Sequence, residues 1–150
     1  MKKIVICLVT GWAILQAFAA EGEWLTDLSK AQTKAKEEKK LVLMDFTGSD
    51  WCPPCKALKK NVLSSEEFST FAKANLVLVE VDFPKTKKEM EKQSAELKKA
   101  NEALSTKFDI ESFPTVVILS SNGKQLSKDA GYDGSSAKDF VAKLEKFVKK

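Results

Sequence analysis

Two apolar runs of strand length, "LVLMDFT" at 41–47 and "LVLVEVDF" at 76–83, limit what this chain can fold into more than any other feature. Each is near-continuous rather than alternating, which is the pattern of a strand covered on both faces. Such strands require helices on both sides of a sheet, and the rest of the sequence supplies them. "EWLTDLSKAQTKAKEEKK" (23–40) reads as an amphipathic first helix with Trp24, Leu25, Leu28, Ala31 and Ala35 on one face. "KALKKNVLSSEEFSTFAKAN" (56–75) places Leu58, Val62 and Leu63, then Phe68 and Phe71, at helical spacing. Ser64 and Ser65 ahead of Glu66 and Glu67 mark where one helix ends and the next begins.

The segment 84–110 is Lys/Glu-rich and has no internal Pro or Gly; Met90, Leu97 and Leu104 recur every seven residues, so one stripe packs and the rest is solvated. "FPTVVILSSNGKQLSK" (113–128) has the form of a hairpin that turns at Asn122-Gly123 into a shorter returning strand. Gly131 and Gly134 break the chain before a Ser-capped closing helix with Phe140, Val141, Leu144, Phe147 and Val148 inward. The expected order is αβαβαββα, an α/β domain with a mixed central sheet between helical layers.

Lys2 and Lys3 precede an apolar run that ends in small residues, with Ala17 and Ala19 at the -3 and -1 places of a cleavage site. Residues 1–19 are read as a signal peptide and 20–150 as the domain, which implies a periplasmic or secreted protein. The other reading, an uncleaved anchor, is disfavoured by Thr10, Gly11 and Gln16 and by the shortness of the run against the ~20 residues a spanning helix needs. Cys7 lies inside that run, so cleavage leaves only Cys52 and Cys55. One close pair closes too small a loop to act as a disulfide scaffold.

All 25 basic residues are Lys, with neither Arg nor His in the chain. Without the planar fork of Arg, specific nucleic-acid recognition is not expected. Without imidazole, the Ser-His and Cys-His constellations are excluded, and two thiols fall short of the four ligands of a zinc site unless two chains share one.

What remains is "DWCPPCK" (50–56). Two residues between cysteines allow one thiolate to attack an external disulfide and the second thiol to resolve the mixed disulfide. Cys52 lies where the turn after the first apolar run enters a helix, whose free N–H groups lower a thiol pKa; it is read as an exposed attacking thiol and Cys55 as the resolving one. Pro53 is expected as the capping residue and Pro54 as the first helical one, leaving the N–H of Cys55 as the main donor near the sulfur. Trp51 is either a half-buried packing residue or an apolar rim for a protein substrate. Asp45, inside an apolar strand, is either a buried acid able to take the proton of Cys55 or an outward-facing strand-end residue.

"DFTGSDWCPPCK" after an apolar strand, "FPT" opening a later strand, a hairpin, and Gly131 before the last helix together resemble the thioredoxin superfamily over nearly the whole chain beyond the leader. "TGSDWC" is similar to exported bacterial thioredoxin-like proteins, among them the C-terminal domain of the transmembrane reductase DsbD; the double proline is similar to tryparedoxins and nucleoredoxins. The resemblance implies a thioredoxin fold, here with a helical extension over 85–107, and a thiol-disulfide oxidoreductase working without cofactor through a Cys52-Cys55 disulfide. It implies Cys52 as nucleophile, Cys55 as resolving thiol, Asp45 as the buried acid, and Pro114 as a cis-proline that sets Phe113 and Thr115 beside the sulfur for an extended substrate. Trp51, Pro53 and Pro54 complete the expected substrate rim. One more residue than in the family separates Asp45 from Cys52, and the basic residue common on the third family strand has no counterpart in "LVLVEVD".

The implied partners are protein thiols or disulfides and a membrane electron donor of DsbD type, with the chain itself a monomer and a reductase. The competing reading is a thioredoxin-fold binding module or chaperone whose disulfide is structural.

Overall fold

The computed structural model describes residues 23–149, so the leader and its cleavage point lie outside the described residues. Its centre is a five-stranded mixed sheet in the order β1-β3-β2-β4-β5. β2 (Leu41–Thr47) and β3 (Leu76–Asp82) are the two apolar runs; they pair in parallel from Leu41 beside Leu76 to Thr47 beside Asp82. β4 (Thr115–Leu119) lies antiparallel to β2, and β5 (Gln125–Ala130) antiparallel to β4. The central strands are thus hemmed by other strands along their edges and covered on both faces, which is why their sequences need no polar alternation.

Alternate residues of the same strands feed two separate cores. Val42, Met44 and Phe46 join Val77, Val79, Val81, Val117 and Leu119 beneath α1 (Leu28–Glu38) and the end of α5 (Ala95–Lys107), where Ala31, Ala35 and Phe108 complete a wholly apolar cluster. Leu43, Leu78, Val116 and Ile118 face the opposite way. They pack against Leu58 of α2 (Pro53–Leu58), Phe68 and Ala72 of α3 (Glu66–Asn75), and Val141 and Leu144 of α6 (Ala137–Val148). Ser65 and Ser136 accept the Phe68 and Asp139 N–H groups, and these caps fix where α3 and α6 begin.

Several local expectations are corrected. Trp24 and Leu25 do not open a helix; they form a two-residue strand, β1, paired in parallel with Leu78 and Val79, and α1 starts only after Asp27, whose carboxylate accepts the Ser29 and Lys30 N–H groups. The apolar pair is better buried against the sheet edge than on a helix otherwise made of Lys and Glu. The 85–107 segment is not one helix: a four-residue turn, α4 (Lys87–Met90), is followed by a break, and Ser94 caps α5 by accepting the Leu97 N–H. Met90, expected in the packed stripe, is exposed, as is Val148 beyond the inward face of α6. The returning strand β5 has six residues against five in β4, so it is not the shorter of the two.

Candidate active site

The chain leaves β2 at Thr47 and must turn sharply before α2. Gly48 makes that possible: the Trp51 indole lies where its Cβ would be, and its carbonyl accepts the Trp51 and Cys52 N–H groups. Cys52 then caps α2 in an extended conformation, with Pro53 and Pro54 as the first two helical residues. The expected positions move by one, Cys52 rather than Pro53 being the cap, because proline's fixed φ already suits the first turn. With both prolines lacking N–H, the first free donor of the helix is that of Cys55, and it donates to Cys52 Sγ at 3.3 Å. Cys52 and Cys55 are joined as a disulfide.

Both sulfur residues are buried, Cys52 and Cys55 alike retaining 3% exposure. Cys52 was expected to be exposed; in the disulfide state only its rim reaches solvent. Pro53 and Pro54 are exposed beside it, and Trp51 and Phe113 are half-buried. Trp51 is the half-buried packing residue of the first reading. Its indole N–H donates to the Phe83 carbonyl at 2.7 Å, its ring meets Phe113 edge-on at 5.9 Å between centroids, and the Lys85 ammonium lies 3.6 Å from its centroid. The Phe113-Pro114 bond is cis, as the resemblance implied. Pro114 and Thr115 are buried, and the Thr115 hydroxyl turns back to donate to the Ser112 carbonyl.

A strap not read from the sequence holds this loop. The Asp50 carboxylate accepts the Lys85 and Thr86 N–H groups, and Asp82 accepts both the N–H and the hydroxyl of Ser49. The hydrogen bonds from Thr86 and Lys85 hold the Asp50 carboxyl down to about 2. Residues 82–86 thus clamp 49–51 from the side by four backbone and side-chain donors together with the Trp51 indole.

Asp45 lies within the sheet rather than at its end, opposite Val116 and Glu80, on the face that α2 covers. It is 4% exposed, and its Oδ1 has no hydrogen-bond partner. Burial pushes its carboxyl up to about 7; Glu80 adds to the rise and Lys59 opposes it. The outward-facing alternative is excluded. The missing base of the third strand is also accounted for. Strand β3 presents an acid, Glu80, beside Asp45, and the base comes from the helix side, where Lys59 Nζ stands 3.3 Å from Glu80 Oε1. Lys59 opens a widened π turn, Lys59–Leu63, that continues α2. A sequence signal for this pairing existed: Asp45 and Glu80 are each the fifth residue of an apolar run, so in-register parallel pairing sets them side by side.

No cluster of three Cys, His, Asp or Glu among the described residues is arranged to hold a metal ion. The arrangement can form and break a disulfide and move one proton. A model of the thioredoxin-like domain family matches residues 28–148. The chain belongs to this thioredoxin-like family. It is 32% identical over 131 residues to the disulfide bond reductase DsbH of Chlamydia pneumoniae, covering 87% of this chain and 75% of that protein. It is 30% identical over 117 residues to the thioredoxin-related protein DsbJ of the same organism, covering 78% of this chain but only 32% of DsbJ. A solved structure of a DsbH oxidoreductase superposes with a TM-score of 0.77 at 31% identity, over 87% of this chain and 86% of that one. With a Cys-Pro-Pro-Cys disulfide at the start of α2, this thioredoxin-like chain is a thiol-disulfide oxidoreductase.

Proposed function

We propose that the chain is an exported protein-disulfide reductase: reduced Cys52 attacks a disulfide of a substrate protein, and Cys55 resolves the mixed disulfide. The observation that carries this reading is the disulfide seated on the first turn of α2, where the Cys55 N–H is aimed at Cys52 Sγ. On reduction that N–H stabilises a thiolate at Cys52, the form that attacks. In resolution, Asp45 accepts the proton of Cys55, so that a thiolate rather than a thiol displaces the substrate sulfur. The exposed prolines 53 and 54 with Trp51 and Phe113 offer an apolar rim, and the Phe113 backbone just before the cis bond is offered to an extended substrate segment.

The direction is supported by the name of the DsbH relative and by economy. A basic n-region, an apolar run and a small-residue cleavage site at 1–19 point to export, and among the described residues no helix is long and apolar enough to cross a membrane. An exported reductant has no glutathione or soluble thioredoxin pool to recharge it. A membrane donor of DsbD type fills that need, with the chain acting as a monomer and no further cofactor.

The test is the equilibrium potential of the Cys52-Cys55 pair. A value near ~-270 mV, as in thioredoxin, supports the reductase; a value near ~-120 mV, as in DsbA, makes the protein an oxidant instead. A pair that stays oxidised until the chain unfolds would make it a structural staple and the protein a binding module.

A further inference from the structure

The two acids of the apolar runs are neighbours in the sheet, and their surroundings differ from any packed core. Asp45, Glu80 and Lys59 line one cavity of about 90 Å³ together with Trp24, Leu63, Ser64, Phe68, Ser69 and Leu78. That is ample for water, and the unpartnered Asp45 Oδ1 is a polar group for water to serve. Strand β1 reaches only Leu78 and Val79, so at Glu80 the outer edge of β3 has no strand beside it, and further on Gln93 and Asn101 donate to the Asp82 carbonyl. Glu80 also lines a second, open groove with Thr26, Asp82 and Gln93. Its side chain is 31% exposed and that of Lys59 60%. Glu80 therefore stands between the buried carboxyl and bulk solvent, held there by Lys59.

We propose that Glu80 and Lys59 are positioning residues for the proton step: their ion pair forms the mouth of the Asp45 cavity, sets the proton occupancy of Asp45, and links it through water to solvent. This rests on the reading of Asp45 as acceptor for Cys55. In the mixed disulfide the Cys55 thiol gives its proton to the Asp45 carboxylate; the thiolate attacks Cys52 Sγ, the Cys52-Cys55 bond forms, and the substrate leaves as a thiolate. The cycle closes when the Asp45 carboxyl returns that proton to cavity water, and Glu80 passes it outward. No oxidant beyond the substrate disulfide is consumed.

The charged groups facing Asp45 are few. Strand β3 contributes Glu80 and, one pleat further, Asp82, both opposing its ionisation; the π turn contributes Lys59, which favours it. The cavity residues of α3, Phe68 and Ser69, and Val116 of β4 carry no charge.

The experiment loads Cys52 of the reduced protein with thionitrobenzoate and follows its release by Cys55 in rapid mixing from pH 5 to 9. Glu80→Gln should move the midpoint of the pH profile down and Lys59→Met should move it up, each by about half a unit or more, with the double variant returning towards the parent. Glu80→Asp should restore most of the parent profile. Opposite shifts of this kind are not produced by a merely structural role, and both residues are exposed enough for the variants to fold. Midpoints that stay put in both variants while Asp45→Asn slows release would overturn the proposal alone. An unchanged rate and profile in Asp45→Asn would overturn the acceptor reading beneath it.

Discussion

The two faces of the sheet are built from the same strands and are put to opposite uses. Towards α1 and α5, Val42, Met44, Phe46, Val79, Val81, Val117 and Leu119 are all fully buried, and the buried polar side chain on that side, Asn101 of α5, donates to the Asp82 carbonyl. Towards α2, the strand β2 alternates Leu43 with Asp45 and Thr47, and a water-sized cavity opens beside the carboxyl. A dry face maximises apolar area removed from water, about 25 cal/mol per Å². The other face gives up some of that gain to keep an ionisable group under the reactive helix. Because successive residues of a strand face opposite ways, a single strand can keep stability on one face and chemistry on the other.

The sharpest break of that separation is at the sulfur. Cys52→Ser should abolish reduction of a protein disulfide, to the level of buffer, while the circular dichroism spectrum and the dry face remain; residual exchange through Cys55 alone would break the assignment of roles. On the opposite face, Phe46→Ala should cost about 3–5 kcal/mol of unfolding free energy in a denaturant titration. Its exchange rate per folded molecule should stay near the parent's, and a rate that falls with stability would show that the faces are not independent.

Asp45→Asn sharpens the comparison through pH. A carboxyl raised to about 7 when folded, against 3.8 in the unfolded reference, binds its proton more tightly in the native state. The native state is therefore not penalised below pH ~4, and loses stability as pH rises from there through about 7. The variant should lose that dependence and gain on the parent by a few kcal/mol at most at pH 8; parallel stability-pH curves for the two proteins would contradict it. The smallest effect belongs to the strap. Asp50→Ala should speed amide exchange at Lys85 and Thr86 by about tenfold with little change in Tm, since the bonds are at the surface. Asp50, held down to about 2, keeps its charge, and so the strap, until pH falls towards that value.

Much of this was legible before any fold was known. Cys52 and Cys55 announce themselves by spacing, and Asp45 by being a charge inside an apolar run. Ser65 as a cap, the hairpin at Asn122-Gly123 and the inward stripe of α6 are local patterns too. Glu80 was as conspicuous as Asp45, but its meaning depends on register: only parallel pairing of 45 with 80 makes it a neighbour. The strap through Asp50, Asp82 and Trp51 left no local trace, because its partners are more than thirty residues apart. The break at Ser94 and the strand at Trp24 were misread because helical periodicity is satisfied equally by residues that some other element claims.

By itself the sequence determined the buried central strands, the helices that cover them, and a dithiol as the leading candidate among the few chemistries open to a chain with no His and no Arg. Those are consequences of spacing along the chain, where hydrophobic period and cap residues act within a few positions. The tertiary structure alone decided that a lysine of the π turn should pair with a glutamate of β3 beside the cavity of Asp45, and that Cys52 should itself cap α2 with its rim braced by the 82–86 strap. Such arrangements depend on strand register and on which side of the sheet each helix takes. Both are fixed by packing the whole domain at once.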